Sequence, residues 1–243
     1  MGSKEARAIV MGGTSGIGRE VAMLLARRGW CVGVAGRRTE LLEEMRHEGC
    51  VSDIATIDVT EEDAAERLQA FINEMGGMDL YLHCSGVGWQ NPELVSDKEL
   101  ATTETNALGF VRMMDAAFGY FRERGGGHIA VVSSIAGTKG LGTAPAYSAT
   151  KRFQNTYVDA LAKLSRMRHL NISFTDIRPG FVDTAFIGGS DFPMKMNVEQ
   201  VAESIVKALE KRRRIVVIDW RYRLLVFFWR LLPEWLWERM RIG

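Results

Sequence analysis

The sequence predicts a single α/β domain, doubly wound, with a seven-stranded parallel sheet and helices on both faces. Three observations carry this. Short apolar runs alternate with stretches of helical periodicity along most of the chain. A glycine-rich turn, Gly12-Gly13-Thr14-Ser15-Gly16-Ile17-Gly18, joins the first run to the first such stretch. The 243 residues, 47% hydrophobic and 25% charged, suit one domain that buries a large core without disulfides or metal.

Taken in order, residues 8–11 read as a buried strand and 17–28 as a helix that Gly29 ends. Residues 31–35 form the second strand, and 40–48 a short polar helix closed by Gly49. Residues 51–57 are the third strand. Residues 61–75 are a helix, with Thr60 the better-placed N-cap and Gly76-Gly77 the stop. Residues 79–84 are the fourth strand, and 98–124 are largely helical. The fifth strand, 128–132, follows the turn Gly125-Gly126-Gly127. A long helix over 146–168, a strand over 172–177, a helix over 198–210 and a strand over 215–218 complete the pattern. Strands alternating with helices imply a parallel sheet covered on both faces. No repeat or linker divides the chain, so residues 1–243 form one unit.

The net charge of +1 excludes a polycation built for nucleic acid. From Glu210 onward nine cations face four anions, so the tail carries +5 and the remainder −4. The three cysteines, Cys31, Cys50 and Cys84, are odd in number and form no CxxC pair. That disfavours a disulfide framework or zinc site and fits a reducing compartment. No metal site is expected. The start of the chain has no apolar signal segment, and a cytoplasmic protein is expected.

The glycine turn lies where a strand meets a helix. Glycines there allow a sharp turn and bring backbone N–H groups close to a pyrophosphate, as in a Rossmann-type domain. Gly12, Thr14, Ser15, Gly16, Ile17 and Gly18 are the expected cradle, and the absence of a Gly-Lys-Ser/Thr ending disfavours a triphosphate P-loop. The second strand ends Ala35-Gly36-Arg37-Arg38. An acidic residue there would bind the ribose hydroxyls of NAD. Gly36 supplies none, and the planar fork of Arg37, with Arg38 beside it, suits a 2′-phosphate. NADP is therefore the expected cofactor, with NADPH preferred over NADH.

Tyr147 and Lys151 are four apart and share one helix face, and Ser134 lies thirteen residues before the tyrosine, just after a strand. Together with the glycine turn, Asp58-Val59, Asn106, Val132-Ser133-Ser134-Ile135-Ala136-Gly137 and Arg178-Pro179-Gly180-Phe181-Val182-Asp183-Thr184, these residues resemble the short-chain dehydrogenase/reductase family, in its branch of roughly 250 residues. The resemblance covers about residues 8–218.

The resemblance implies that Tyr147 is the general acid for carbonyl reduction and the general base for alcohol oxidation. Lys151 would bond the nicotinamide ribose and lower the tyrosine pKa. Ser134 would fix the substrate oxygen. Asn106 would interrupt its helix and hold a water in a proton relay. Asp58 would meet the adenine amino group, and Pro179, Gly180 and Thr184 the carboxamide. Val59, Ser85, Gly86 and Val182 complete the cofactor set. Relatives usually end the fourth strand Asn-Asn-Ala-Gly. Here His83-Cys84-Ser85-Gly86 stands instead, which puts the local hydrogen bonding in doubt. His83 is expected inside the sheet and Cys84 as a small buried residue.

Residues 184–197 fall at the family's variable substrate lid. Their glycines, Phe186, Phe192, Met194 and Met196, with Trp89 and Phe181, suggest an apolar ketone or alcohol, steroid-like or lipid-like. Residues 220–243 form an aromatic and basic helical extension whose longest apolar run, 224–229, is far short of a membrane span. It suits a subunit interface, a cover over the pocket or a peripheral membrane helix. The family's habit of association implies a homodimer or homotetramer. Two rival functions stand beside the enzyme: a non-catalytic NADP sensor or scaffold, and a membrane-peripheral reductase of lipid ketones.

Overall fold

The computed structural model describes residues 5–187, 192 and 194–240. The strands fall on the apolar runs: β1 (Arg7–Met11), β2 (Cys31–Gly36), β3 (Asp53–Thr56), β4 (Leu80–His83), β5 (Gly127–Val132), β6 (Ile172–Arg178) and β7 (Ile215–Val217). All pair in parallel, in the order β3-β2-β1-β4-β5-β6-β7. The order reverses between β1 and β4. Folds of this kind bind ligands in the crevice beyond the carboxyl ends of those strands.

The helices are α1 (Gly16–Arg27), α2 (Thr39–His47), α3 (Ala64–Glu74), α4 (Ser96–Thr103), α5 (Phe110–Arg124), α6 (Pro145–Met167), α7 (Val198–Glu210), α8 (Trp220–Leu231) and α9 (Glu234–Trp237). One apolar core holds Val21 and Leu25 of α1, Leu42 of α2, Ile205 of α7 and Tyr222 of α8 against one sheet face. A second holds Leu68 of α3, Phe110 and Met114 of α5, and Val158 of α6 against the other. Sheet strands buried on both faces can be apolar throughout, which is why their runs were continuous.

The differences from expectation are local. β3 is shorter than 51–57 because it is an edge strand and its one partner, β2, ends at Gly36. Thr60 does not cap α3. Asp58 Oδ1 accepts from both its N–H (3.0 Å) and its hydroxyl (2.8 Å), so the local turn uses that hydroxyl and the helix starts at Ala64. Residues 98–124 are helical as expected, with a π-type turn, Glu104–Gly109, between α4 and α5. The tail breaks at Leu232-Pro233. Of the expected lid, residues 188–191 and 193 lie outside the described residues, as do 241–243 of the tail. The rest of the lid has a short turn, Ala185–Ile187, and an isolated bridge from Val182 to Met196.

Candidate active site

The glycine turn is shaped by contacts no other side chain permits. Gly12 has φ +82, and a Cβ there would lie 2.5 Å from the Ser85 backbone nitrogen. A Cβ at Gly18 would lie 2.3 Å from the Gly12 carbonyl oxygen. The Gly12 N–H donates to Ala35 O at 2.7 Å, which ties the turn to the end of β2. The first turn of α1 holds no acidic residue, so its positive dipole end is left for an anion.

Two guanidinium groups stand at the far side of the turn. Arg38 folds back on it, its Nη2 donating to Thr14 Oγ1 and Ser15 Oγ, each at 2.6 Å. Arg37 stays exposed, with Nη1 4.0 Å from Asp58 Oδ2. A Cβ at Gly36 would lie 3.2 Å from the Thr14 methyl, so the end of β2 has no room to spare for a carboxylate.

The second group of residues comes from β5, the turn after it and α6. Ser134 caps the short turn Ile135–Thr138, its Oγ accepting from Ala136 N at 3.1 Å. Pro145 starts α6 where a missing N–H costs nothing. One turn separates Tyr147 from Lys151, and the lysine Nζ lies 5.8 Å from the tyrosine ring centroid. Gly88 packs flat on that ring, since a Cβ there would come within 2.3 Å of it. Burial pushes the Tyr147 phenol up, and a hydrogen bond with Ser134 pulls it back. Burial lowers Lys151 to about 8, against the raising influence of the Asp176 carboxylate.

Lys151 has three donors. One goes to Val132 O at 3.2 Å and one to Gln154 Oε1 at 3.0 Å. Gln154 is fully buried, and its Nε2 donates to Asn106 O at 2.9 Å. The link from Lys151 to Asn106 therefore runs through the Gln154 amide. Asn106 sits in the π-type turn, as the resemblance implied. Its side chain clasps Val87, accepting from N at 2.9 Å and donating to O at 2.7 Å.

Sequence reasoning missed Gln154. Its signal was a polar residue at i+3 from Lys151 on the buried face of α6. A buried network behind Ser134 was missed as well. Asn155 donates to Ser133 Oγ (2.8 Å) and to Asp176 Oδ2 (3.1 Å), and Arg178 donates to the same carboxylate at 2.8 and 2.6 Å. Paired charges of this kind hold the ends of β5 and β6 in register, and with them Ser134 and Pro179.

A cleft of about 720 Å³ runs from the glycine turn to Tyr147. Every residue expected at the nucleotide or in catalysis lines it except Asn106, which is buried behind Gly86. Beyond Tyr147 the walls are apolar: Trp89, Leu141, Phe181, Phe186, Phe192 and Trp229. Phe181 stacks on Phe192 with centroids 4.2 Å apart, and Phe186 lies 5.8 Å from Tyr147. His83 is fully buried in the sheet. Cys84 lines the cleft and is only partly buried, a correction to its expected place in the interior, because the chain opens toward Gly86 immediately after β4. Its thiol is pushed up to about 12 by desolvation, so it stays protonated. Among the described residues no group of three or more His, Cys, Asp or Glu is placed to hold a metal.

A glycine cradle at a sheet switch point, joined in one cleft to a Ser–Tyr–Lys cluster, defines the class as an α/β oxidoreductase. A sequence model of the short chain dehydrogenase family matches residues 6–191, and the chain belongs to that family. An "uncharacterized oxidoreductase" of Myxococcus xanthus is 34% identical over 236 residues, covering 93% of this chain and 92% of the relative. Among solved structures, an actinorhodin polyketide ketoreductase variant with NADPH is 26% identical, with TM-score 0.75, covering 88% of this chain and 95% of that one. A Burkholderia phymatum short chain dehydrogenase/reductase in complex with NAD is 16% identical, with TM-score 0.81 and 92% of both chains covered; that likeness shows the fold.

Proposed function

We propose that the protein is an NADPH-dependent carbonyl reductase, in reverse a secondary-alcohol dehydrogenase, acting on an apolar substrate. The observation that carries this is the convergence of the Tyr147 phenol, Ser134 hydroxyl and Lys151 ammonium at one end of a cleft whose other end is a glycine cradle. The residues present fit a dinucleotide. Gly12 and Gly18 let the turn close tightly on Ser85 and on itself, and Gly16 takes a φ of +52, so backbone N–H groups line the cleft there. Arg37 and Arg38 put positive charge beside that turn in the same cleft, as a 2′-phosphate requires. The ketoreductase relative with NADPH bound supports this choice.

When bound, the nicotinamide supplies or accepts the hydride. This chain's residues do the rest. The Tyr147 hydroxyl gives its proton to the carbonyl oxygen in reduction and takes it back in oxidation. Ser134 donates to that oxygen and orients it. Lys151, with two donors fixed, keeps its third for the nicotinamide ribose, and its charge favours the phenolate. Asn106 and Gln154 hold Lys151 from behind. The apolar wall from Trp89 to Trp229 selects a hydrophobic ketone. Self-association as a homodimer or homotetramer, in keeping with the family's habit, and a place in the cytoplasm or at a membrane surface are part of the proposal.

The deciding experiment is a ketone and alcohol panel with NADPH and NADH. Reduction with NADPH well ahead of NADH is expected. Tight NADPH binding with no carbonyl ever reduced would leave a sensor, and equal use of both cofactors would remove the role of Arg37.

A further inference from the structure

The two tail helices have a buried side and an exposed side of nearly the same composition. On the inner side Tyr222 and Val226 are buried, and Leu225 and Trp229 pack on the same core. The Tyr222 hydroxyl accepts from Phe181 N at 3.2 Å and donates to Met194 O at 3.1 Å. Trp237 Nε1 donates to Gly140 O at 2.8 Å, and Lys139 Nζ donates to Leu232 O at 3.1 Å. The tail is thus fastened to the loop that follows Ser134, and through Trp229 it forms part of the cleft wall.

The outer side carries Trp220, Leu224, Phe227, Phe228, Leu231 and Trp235, each at least half exposed. At about 100° per residue, the five on α8 occupy an arc of about 100° directly opposite the buried stripe. Arg223 and Arg230 border that arc on one side and Arg221 on the other. Arg221 is paired with Asp219 at 2.7 Å and Arg223 lies within electrostatic reach of the same carboxylate, but among the described residues neither Arg223 nor Arg230 forms an ion pair of its own. Exposed Lys211, Arg212 and Arg213 lie just before β7.

We propose that this outer face docks on an anionic lipid bilayer, lying in the interface and holding the apolar end of the cleft at the membrane. The substrate class then narrows to ketones dissolved in the bilayer, and that clause alone rests on the carbonyl-reductase reading. Charge decides the occupant. The chain from Glu210 onward carries nine cations against four anions, which complements an anionic surface. Two copies pairing this face about a two-fold axis would set arginine against arginine: Arg223 and Arg230 against their own copies when the α8 helices run antiparallel, or against Arg221 when they run parallel, with Asp219 already paired to Arg221 and Glu234 to Lys139. Tryptophan and arginine around an apolar arc suit the headgroup boundary. No helix among the described residues is long and apolar enough to cross a membrane, so the contact is one of lying on the surface.

The test is co-sedimentation of the full chain with vesicles of phosphatidylcholine alone and of phosphatidylcholine with phosphatidylglycerol. Binding is expected to the anionic vesicles and to fall with added salt. A Phe227→Ser/Phe228→Ser/Leu231→Ser variant is expected to lose it while keeping wild-type NADPH affinity and thermal midpoint. An Arg223→Gln/Arg230→Gln variant should bind about thirtyfold more weakly. No binding by the wild type, or equal binding by the serine variant, overturns the proposal. So does a wild-type dimer that becomes monomeric in the serine variant without vesicle binding, which would make a second copy the occupant. Vesicle binding needs no turnover, so an empty ketone panel leaves the docking result standing. An enzyme that docks and reduces soluble ketones but not bilayer-dissolved ones would overturn the substrate clause alone.

Discussion

Replacing Gln154 with Leu removes an acceptor from Lys151 while keeping roughly the volume. The ammonium would lose one of its two fixed hydrogen bonds, at 3.0 Å, and retain only Val132 O. A hydrogen bond to a charged group contributes about 1.5–3 kcal/mol, and one pKa unit corresponds to about 1.4 kcal/mol. The bond favours the charged form, so its loss lowers the lysine pKa, by about one to two units. Lys151 starts from about 8 because burial has already lowered it. In the variant most of the ammonium would be neutral at pH 7.5, and Tyr147 would lose its cationic neighbour.

The assay is kcat/KM for NADPH, which reports free-enzyme ionisations, measured from pH 6 to 9 with the panel ketone reduced fastest. The wild type should lose activity as pH rises through about 8. In Gln154→Leu that limb should move one to two units toward acid, with about a tenfold loss at pH 7.5. Gln154→Glu keeps an acceptor facing the lysine and should restore the limb or move it to higher pH. A Leu variant that is uniformly weaker at every pH, with the limb unmoved, would refute the argument and leave Gln154 a packing residue.

Other outcomes follow from the same geometry. Arg37→Ala should weaken NADPH binding by about tenfold to a hundredfold, the loss of one charge-assisted contact, and leave NADH binding nearly unchanged; equal losses for both would argue against a 2′-phosphate contact. Gly12→Ala combines a strained φ of +82 with a 2.5 Å clash at Ser85, and should cost about 1–3 kcal/mol of stability, read as a shifted urea midpoint. Burial lowers His83 to about 3 and His128 to about 4. The unfolded chain binds protons at these sites from about pH 6.5 downward, while the folded chain does not until pH falls further. Stability should therefore drop on acidification from about pH 6.5 to 4, by up to about 1.4 kcal/mol per pH unit for each histidine. A His128→Gln variant whose urea midpoint shifts between pH 7 and 5 as much as the wild type would contradict this.

Much of the site was legible because its signals are local. The glycine turn is a contiguous segment, and Tyr147 and Lys151 announce themselves by helical spacing. Strands buried on both faces gave continuous apolar runs, so the sheet could be read with small errors at an edge. The Asn155–Ser133–Asp176–Arg178 network was not legible, because its members come from three separate elements and each alone is an ordinary polar residue. The start of α3 was misjudged because two neighbouring side chains competed for one cap, and the chain let Asp58 bond Thr60. Composition could not separate the two faces of α8, since Tyr222, Val226 and Trp229 differ little from Leu224, Phe227 and Phe228. Only packing against Phe181 and the cleft assigns the inner face.

The most direct measurement is turnover and NADPH affinity of Tyr147→Phe, which deletes one hydroxyl and keeps the ring that packs on Gly88. The dissociation constant should stay within about threefold of the wild type, while ketone reduction drops by about a thousandfold or more. Reduction that persists near the wild-type rate would show that the proton comes from another group and that the Ser134–Tyr147–Lys151 cluster is not the reacting centre.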